Sequence, residues 1–191
     1  MDRIIGAFTF RKGVYAEVEH DATFTTTAYI IVAVVAFLNQ LGANASGGFD
    51  NLLGWAGGTV VGTVIALVAF AIGVVVVSWV GRALFNAEVT FDELVRTLGL
   101  AYVWQAIGVL GVLGALGAGL ACVIAPVTFA AFLAFLVSWF IAAKEALDLE
   151  WLQVIVTVVI AGIVVAAITF VGVFIIGLLG FGAAAAGGLL G

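Results

Sequence analysis

From Trp55 to Val80 no residue is charged, and the same pattern returns along the chain. Five apolar stretches stand out: Phe24 to Leu41, Trp55 to Val80, Leu98 to Leu116, Ala121 to Ala143 and Trp151 to Leu179. An α-helix needs ~20 residues to cross the ~30 Å hydrocarbon core, so each is a candidate membrane span. Composition agrees. Only 9% of residues are charged, against roughly 25% in soluble globular chains. That is too little to coat a water-facing surface. The expected class is all-α: a polytopic membrane helical bundle of five transmembrane helices with short interfacial helices. Residues 1–21 form an N-terminal cytoplasmic or interfacial segment, and residues 22–191 form the membrane domain.

The breaks follow from residue chemistry. Leu98 to Ala143 is too long for one crossing and holds no charge between the third and fourth spans, so the glycines at Gly117–Gly119 are the expected turn. Pro126 then belongs to the first turn or two of the fourth span, where a missing N–H matters least. The fifth span, at ~29 residues and ~43 Å, should tilt, bend near Gly172 or Gly177, or project. The tail "FGAAAAGGLLG" is low in complexity.

Arg3, Arg11 and Lys12 precede the first span, Arg82 and Arg96 lie between the second and third, and Lys144 lies between the fourth and fifth. The opposite loops carry none of the 6 Lys and Arg. Cytoplasmic loops collect Lys and Arg, so the N-terminus is expected in the cytoplasm and the C-terminus outside. Trp79, Trp104, Trp139 and Trp151 fall near the cytoplasmic ends, as an interfacial belt would have them, with Trp55 at the other face. Of 11 acidic residues only Asp50 lies outside, so the cytoplasmic face carries 6 − 10 = −4. Without a basic cluster there is no footprint for nucleic acid or a polybasic lipid tether. A single cysteine, Cys122, forms no internal disulfide. The first 21 residues have no apolar stretch of signal-peptide length, so they are expected to be retained.

The loop between the second and third spans is unusually specific. Thr90 and Glu93 make a T-x-x-E capping box, with Val89 and Leu94 placed as a hydrophobic staple. Asp92 and Glu93 suit the positive end of the helix dipole. Phe91, Leu94, Val95 and Leu98 recur at spacings of three and four. The expectation is a short helix along the membrane that turns into the third span. Asp92, Glu93 and Arg96 would be displayed as a partner-docking surface, unless the helix serves only as a connector or shield. In the N-terminal segment, Ile4, Ile5, Phe8, Tyr15 and Val18 are expected toward lipid, with Arg3, Arg11, Lys12, Glu17 and Glu19 toward water. Gly13 weakens a continuous helix there.

The stretch "WVGRALFNAEVTFDELVRTLGLAYVWQAIGVLG" resembles the central signature of the YIP family, the Ypt/Rab-interacting membrane proteins and their prokaryotic relatives. "FIAAKEALDLEWLQVIVTVVIAG" is similar to that family's connection into its last span. The resemblance implies five spans with a cytoplasmic N-terminus, in a prokaryotic-type branch. The proline that members often carry at the start of the third span is absent from "AYVWQAIG". The eukaryotic branch's acidic-tyrosine-glycine-proline motif is absent too, so Rab binding is not implied.

No catalytic motif is present: no H-E-x-x-H, G-x-S-x-G or P-loop. The single His20, beside Glu19 and Asp21, has no second histidine to share a metal with and is expected to be solvated. No span holds an ionisable residue at its centre, which disfavours ion-coupled transport. Gln105 is the deepest strong polar group and is expected to bond between helices. Gly58 and Gly62 form a GxxxG pair that permits close packing. Gly108, Gly111, Gly114 and Gly117 recur every three residues and, at 3.6 residues per turn, should wind around the helix. Asn44-Ala45-Ser46 matches a glycosylation sequon. The expected function is that of a non-enzymatic scaffold or accessory subunit without a cofactor, binding membrane lipids and other membrane proteins or itself. A small transporter for a neutral or lipidic molecule is the alternative.

Overall fold

The structure, a computed structural model, describes residues 2–45 and 52–189, with side chains as far as Gly172 and at Phe174. Ser46 of the sequon and Asp50 lie outside the described residues. Helices follow in the order α1 (Asp2–Phe8), α2 (Val14–Glu19), α3 (Phe24–Asn44), α4 (Leu52–Phe85) and α5 (Phe91–Ala101). A 3-10 helix (Tyr102–Leu110), α6 (Gly111–Gly114), α7 (Ala118–Leu147) and α8 (Trp151–Leu189) complete the chain. Five of the helical stretches are long and apolar enough to cross a membrane: Phe24–Asn44, Leu52–Phe85, Phe91–Gly114, Ala118–Leu147 and Trp151–Gly172. The protein is therefore an all-α bundle that fits a multi-pass integral membrane protein.

Helix ends sit where residue type allows them. Asn86 (φ 55°) and Asp148 (φ 49°) take the left-handed conformation just past α4 and α7, which short polar side chains tolerate better than most. The glycine break is at Gly117, the residue before α7. Because α7 starts at Ala118, Pro126 falls in its third turn rather than its first or second. The last span belongs to a single helix, Trp151–Leu189, of 39 residues. That is roughly 58 Å at 1.5 Å per residue, well beyond the hydrocarbon core.

The five spans close into a ring in which α3 touches α4 and the third span, the third span touches α7, α7 touches α8, and α8 touches α4. At one end of the ring, α5 fills the interior. Leu94 to Ala101 are buried without a break, as expected of a helix enclosed on all sides. This corrects the expectation of a helix lying along the membrane. Ala101 (φ −62°, ψ −24°) and Tyr102 (φ −65°, ψ −16°) stay right-handed helical, so α5 is simply the first part of the third span. Its capping box is fully formed, with the Thr90 hydroxyl accepting from the Glu93 N–H and the Glu93 carboxylate accepting from the Thr90 N–H.

The N-terminal segment wraps this end. Gly13, at φ 79°, separates α1 from α2. Val14, Tyr15 and Val18 are buried with Leu94, Leu98 and Ala142 in one apolar core. Tyr15 and Val18 therefore face protein rather than lipid, and Glu19 is buried rather than turned to water. Ile5 remains exposed. Two of the expected belt tryptophans also turn inward. Trp79 and Trp151 are exposed, whereas Trp139 is buried in the bundle and Trp104 packs against Phe8 and Phe10, with ring centroids 5.1 and 5.3 Å away.

Candidate functional site

All five spans contribute to one cavity of about 900 Å³ along the inside of the ring. The volume falls within the range of small-molecule sites, and the space between bundled helices is a common place for them. Aromatic side chains make much of its wall. Phe70 meets Tyr102 edge-on at 5.5 Å, Tyr102 meets Phe135 at 5.7 Å, and Phe135 meets Trp139 at 5.7 Å. Gly73 lets α4 come close to Trp139 and Val165, since a Cβ there would stand 3.2 Å from the Trp139 ring and 3.4 Å from Val165. The rim reaches the outside of the bundle between α7 and α8, where the lining residues Phe132 and Ile163 are both exposed.

Among the described residues no carboxylate, ammonium, guanidinium or imidazole lines the cavity. Its polar groups are Gln40, Gln105, Tyr102, Thr169 and the indole of Trp139. A charged molecule would leave water there without a counter-ion, at a cost of several kcal/mol in a medium this apolar. The cavity suits an uncharged occupant.

The two glutamines are held by the same device. Asn39 Nδ2 donates to the Gln105 backbone carbonyl at 3.0 Å and to Gln105 Oε1 at 3.1 Å. Asn44 Nδ2 donates to the Gln40 backbone carbonyl at 2.9 Å and to Gln40 Oε1 at 3.1 Å. In each pair the backbone carbonyl, an obligate acceptor, fixes the asparagine nitrogen as donor. The glutamine must then accept with its oxygen, so its NH₂ is the free end. Neither NH₂ has a partner among the described residues, and both side chains line the cavity.

The residues expected to pack helices lie around this polar end. In a 3-10 helix residues i and i+3 eclipse, so Tyr102, Gln105 and Gly108 form one line. Gly108 and Gly111 both meet α3, whereas Gly114 faces Ala121 and Ile124 of α7, so the glycines thin the span on more than one side. A Cβ on Gly111 would stand 2.6 Å from the Gly42 carbonyl oxygen, and one on Gly108 would stand 2.2 Å from Asn39 Nδ2. Gly42 is the partner that sequence reasoning missed. A Cβ there would come within 1.9 Å of the Gly108 carbonyl oxygen. A lone glycine in a span carries no signal of its own, and only the row opposite gives it meaning. Gly58 and Gly62 do not admit a second backbone. They admit amides, with Asn44 Oδ1 at 2.7 Å and Gln40 Oε1 at 2.3 Å from the positions their Cβ atoms would take.

The residues expected to dock a partner separate. Asp92 is exposed and Glu93 half-buried, but Arg96 is buried with only 7% exposure. Its Nε donates to the carbonyls of Val18 and Glu19, each at 3.0 Å, and its Nη1 donates to Thr25 Oγ1 at 3.1 Å. It is an internal tie on the C-terminal carbonyls of α2, where a cation also suits the helix dipole. Arg82 likewise ties down a loop by donating from Nε to the Val89 carbonyl at 3.0 Å. Burial pushes the Glu19 carboxyl above its usual range, with His20 acting against it and Asp148, Glu93 and Glu145 reinforcing it. Asp21 moves the other way, to about 2, because Thr23 and Arg3 donate to it. His20 is exposed. Among the described residues no three His, Cys, Asp or Glu side chains gather as a metal site would require.

Comparison of the chain with protein-family models, curated proteins and solved structures gives no match.

Proposed function

We propose that this protein is a non-catalytic membrane protein that holds a neutral, lipidic molecule inside its ring of five spans. The observation that carries this reading is the cavity itself. It is about 900 Å³, lined by all five spans, walled mostly by aromatic and aliphatic side chains, without Asp, Glu, Lys, Arg or His among the described residues, and open at the side of the bundle. A lateral opening suits a molecule that arrives through the bilayer. The absence of charge suits one that carries none. The loops bearing Arg3, Arg82 and Lys144 lie on the cytoplasmic side in this proposal, supported by the Lys and Arg distribution. The resemblance to the prokaryotic branch of the YIP family accords with five spans in a cell membrane.

Native mass spectrometry after gentle solubilisation tests it. The wild type should retain a neutral lipid-sized species that is lost from Ala69→Phe and Ala66→Leu, which fill the cavity, while both variants stay folded. Identical bound species in equal amounts on all three proteins would overturn the reading.

A second reading, as an accessory subunit for other membrane proteins, has one observation behind it. Trp79 (67% exposed), Arg82 and Phe91 line a shallow groove beside the exposed Asp92. Such a mixed apolar and charged rim suits a protein partner. Arg96 has no part in that surface. Native pull-down with Asp92→Ala and Trp79→Ala tests it: loss of a reproducible partner with unchanged folding supports docking, and an unchanged partner set removes the reading.

A further inference from the structure

We propose that the cavity selects a lipid whose polar end is a flat, carbonyl-bearing ring, the chemistry of a quinone on an apolar chain. This rests on the cavity being a lipid site, as proposed above, and adds what the site demands of the head of that lipid.

Three donors carry the inference. The NH₂ groups of Gln40 and Gln105 are free by the argument of the paired asparagines, and the Tyr102 hydroxyl has no hydrogen-bond partner among the described residues. Both glutamine oxygens are already occupied by Asn39 and Asn44. The polar end therefore offers donors with few free acceptors beside them. The Trp139 indole N–H on the same wall is buried without a partner among the described residues, and a buried donor left unpaired is costly, so an occupant is favoured when it brings acceptors. Carbonyl oxygens do that, and a hydrocarbon does not.

The walls next to these donors favour a ring over two flexible chains. Tyr102 belongs both to the donor set and to the aromatic run from Phe70 through Phe135 to Trp139. Offset and edge-on ring contacts stabilise beyond the gain from buried area. The row of Tyr102 and Gln105 on the 3-10 helix presents ring and amide in one line, which a planar head with carbonyls on its edge can meet together. The side opening at Phe132 and Ile163 would then take the chain.

The test compares three probes on the intact protein in one detergent, each titrated while thermal unfolding is followed: decyl-benzoquinone, decylbenzene and dioctanoylglycerol. A ligand that binds only the folded state raises the melting temperature in proportion to its affinity. Decyl-benzoquinone should half-saturate the shift at a concentration about tenfold below decylbenzene, and below dioctanoylglycerol. Gln105→Leu and Tyr102→Phe should each weaken decyl-benzoquinone several-fold while leaving decylbenzene unchanged. If Gln105→Leu fails to fold because Asn39 loses its partner, Tyr102→Phe and the wild-type comparison still decide. Equal half-saturation by decyl-benzoquinone and decylbenzene would overturn the donor argument and leave an unselective lipid site. Tighter binding of dioctanoylglycerol would overturn the ring and keep the carbonyl. No shift with any probe, together with a native protein free of bound lipid, would overturn this inference and the lipid-site reading at once.

Discussion

Arg96 Nε donates to the backbone carbonyl of Glu19 at 3.0 Å across 77 positions of the chain. No carboxylate lies within salt-bridge distance of this guanidinium among the described residues. Its work is done on carbonyls: it receives the end of α2 and fixes the N-terminal segment over α5. Arg96→Ala removes the donor from three acceptors, two of them buried carbonyls. It should destabilise the protein by about 2–4 kcal/mol and expose residues 1–21 to protease. Arg96→Lys should recover little, because one ammonium cannot reproduce the planar fork. Thermal unfolding with limited proteolysis checks both. An unchanged melting point in Arg96→Ala would mean that the tie is not structural.

Thr90 provides a smaller, local test. Thr90→Ala removes one half of the capping box and should cost about 1 kcal/mol. Asp92→Ala leaves the box intact and should cost less. Chemical unfolding of the two variants separates the cap from the charge.

The glycines should divide by what stands opposite them. Gly42→Ala places a Cβ about where the Gly108 carbonyl oxygen comes within 1.9 Å, so the helices must separate and melting should fall sharply. Gly57 and Gly162 have nothing within 4 Å of a Cβ. Alanine at either should be neutral or stabilising by up to about 1 kcal/mol, the ordinary helix preference over glycine. Gly62→Leu should be severe, because Gln40 would have to leave its place. Melting temperatures of the four variants in one detergent give the order directly.

The acid limb of stability should report Asp21. Its folded pKa of about 2 lies below the ordinary value near ~3.9, so its contribution is fully present above that value and is lost as pH falls through about 2. Asp21→Asn should flatten the loss of stability between those limits. Glu19 has the opposite sign. Its folded pKa is raised by burial, so its favourable contribution is present at low pH and disappears as pH rises through the folded value. Glu19→Gln should therefore stabilise the protein at neutral pH. Unfolding measured from pH 7 to pH 2 on both variants tests the two signs together.

The spans were legible in the sequence because hydropathy over twenty residues is a property of composition, and the capping box because it is local in chain. The placement of Arg96 was not. The same residue sits on a charged loop in sequence and inside a core in space, since α1 and α2 fold back over it. An amphipathic pattern in Phe91 to Leu98 looks identical whether the polar side meets water or another segment's carbonyls. The glycine row was legible in part: Gly108 and Gly111 face α3 and Gly114 faces α7, as a winding row should, but nothing local in "YVWQAIGVL" marks the 3-10 helix that holds Gly108 in line with Tyr102 and Gln105. Gln105 was visible as a deep polar group, but its partner Asn39, 66 residues away, and the cavity beyond it depend on how five helices close into a ring.

The proposal that the ring encloses a bound neutral lipid rests on a cavity of about 900 Å³ lined by all five spans. A cryo-electron microscopy reconstruction in nanodiscs made from the native membrane tests it most directly. The expected result is an elongated non-protein density inside the bundle, with its head against Gln40, Gln105 and Tyr102 and its chain leaving between Phe132 and Ile163. Spans closed against one another so that Phe135 and Gln105 meet α8 without space between them, or a cavity holding only water, would contradict it.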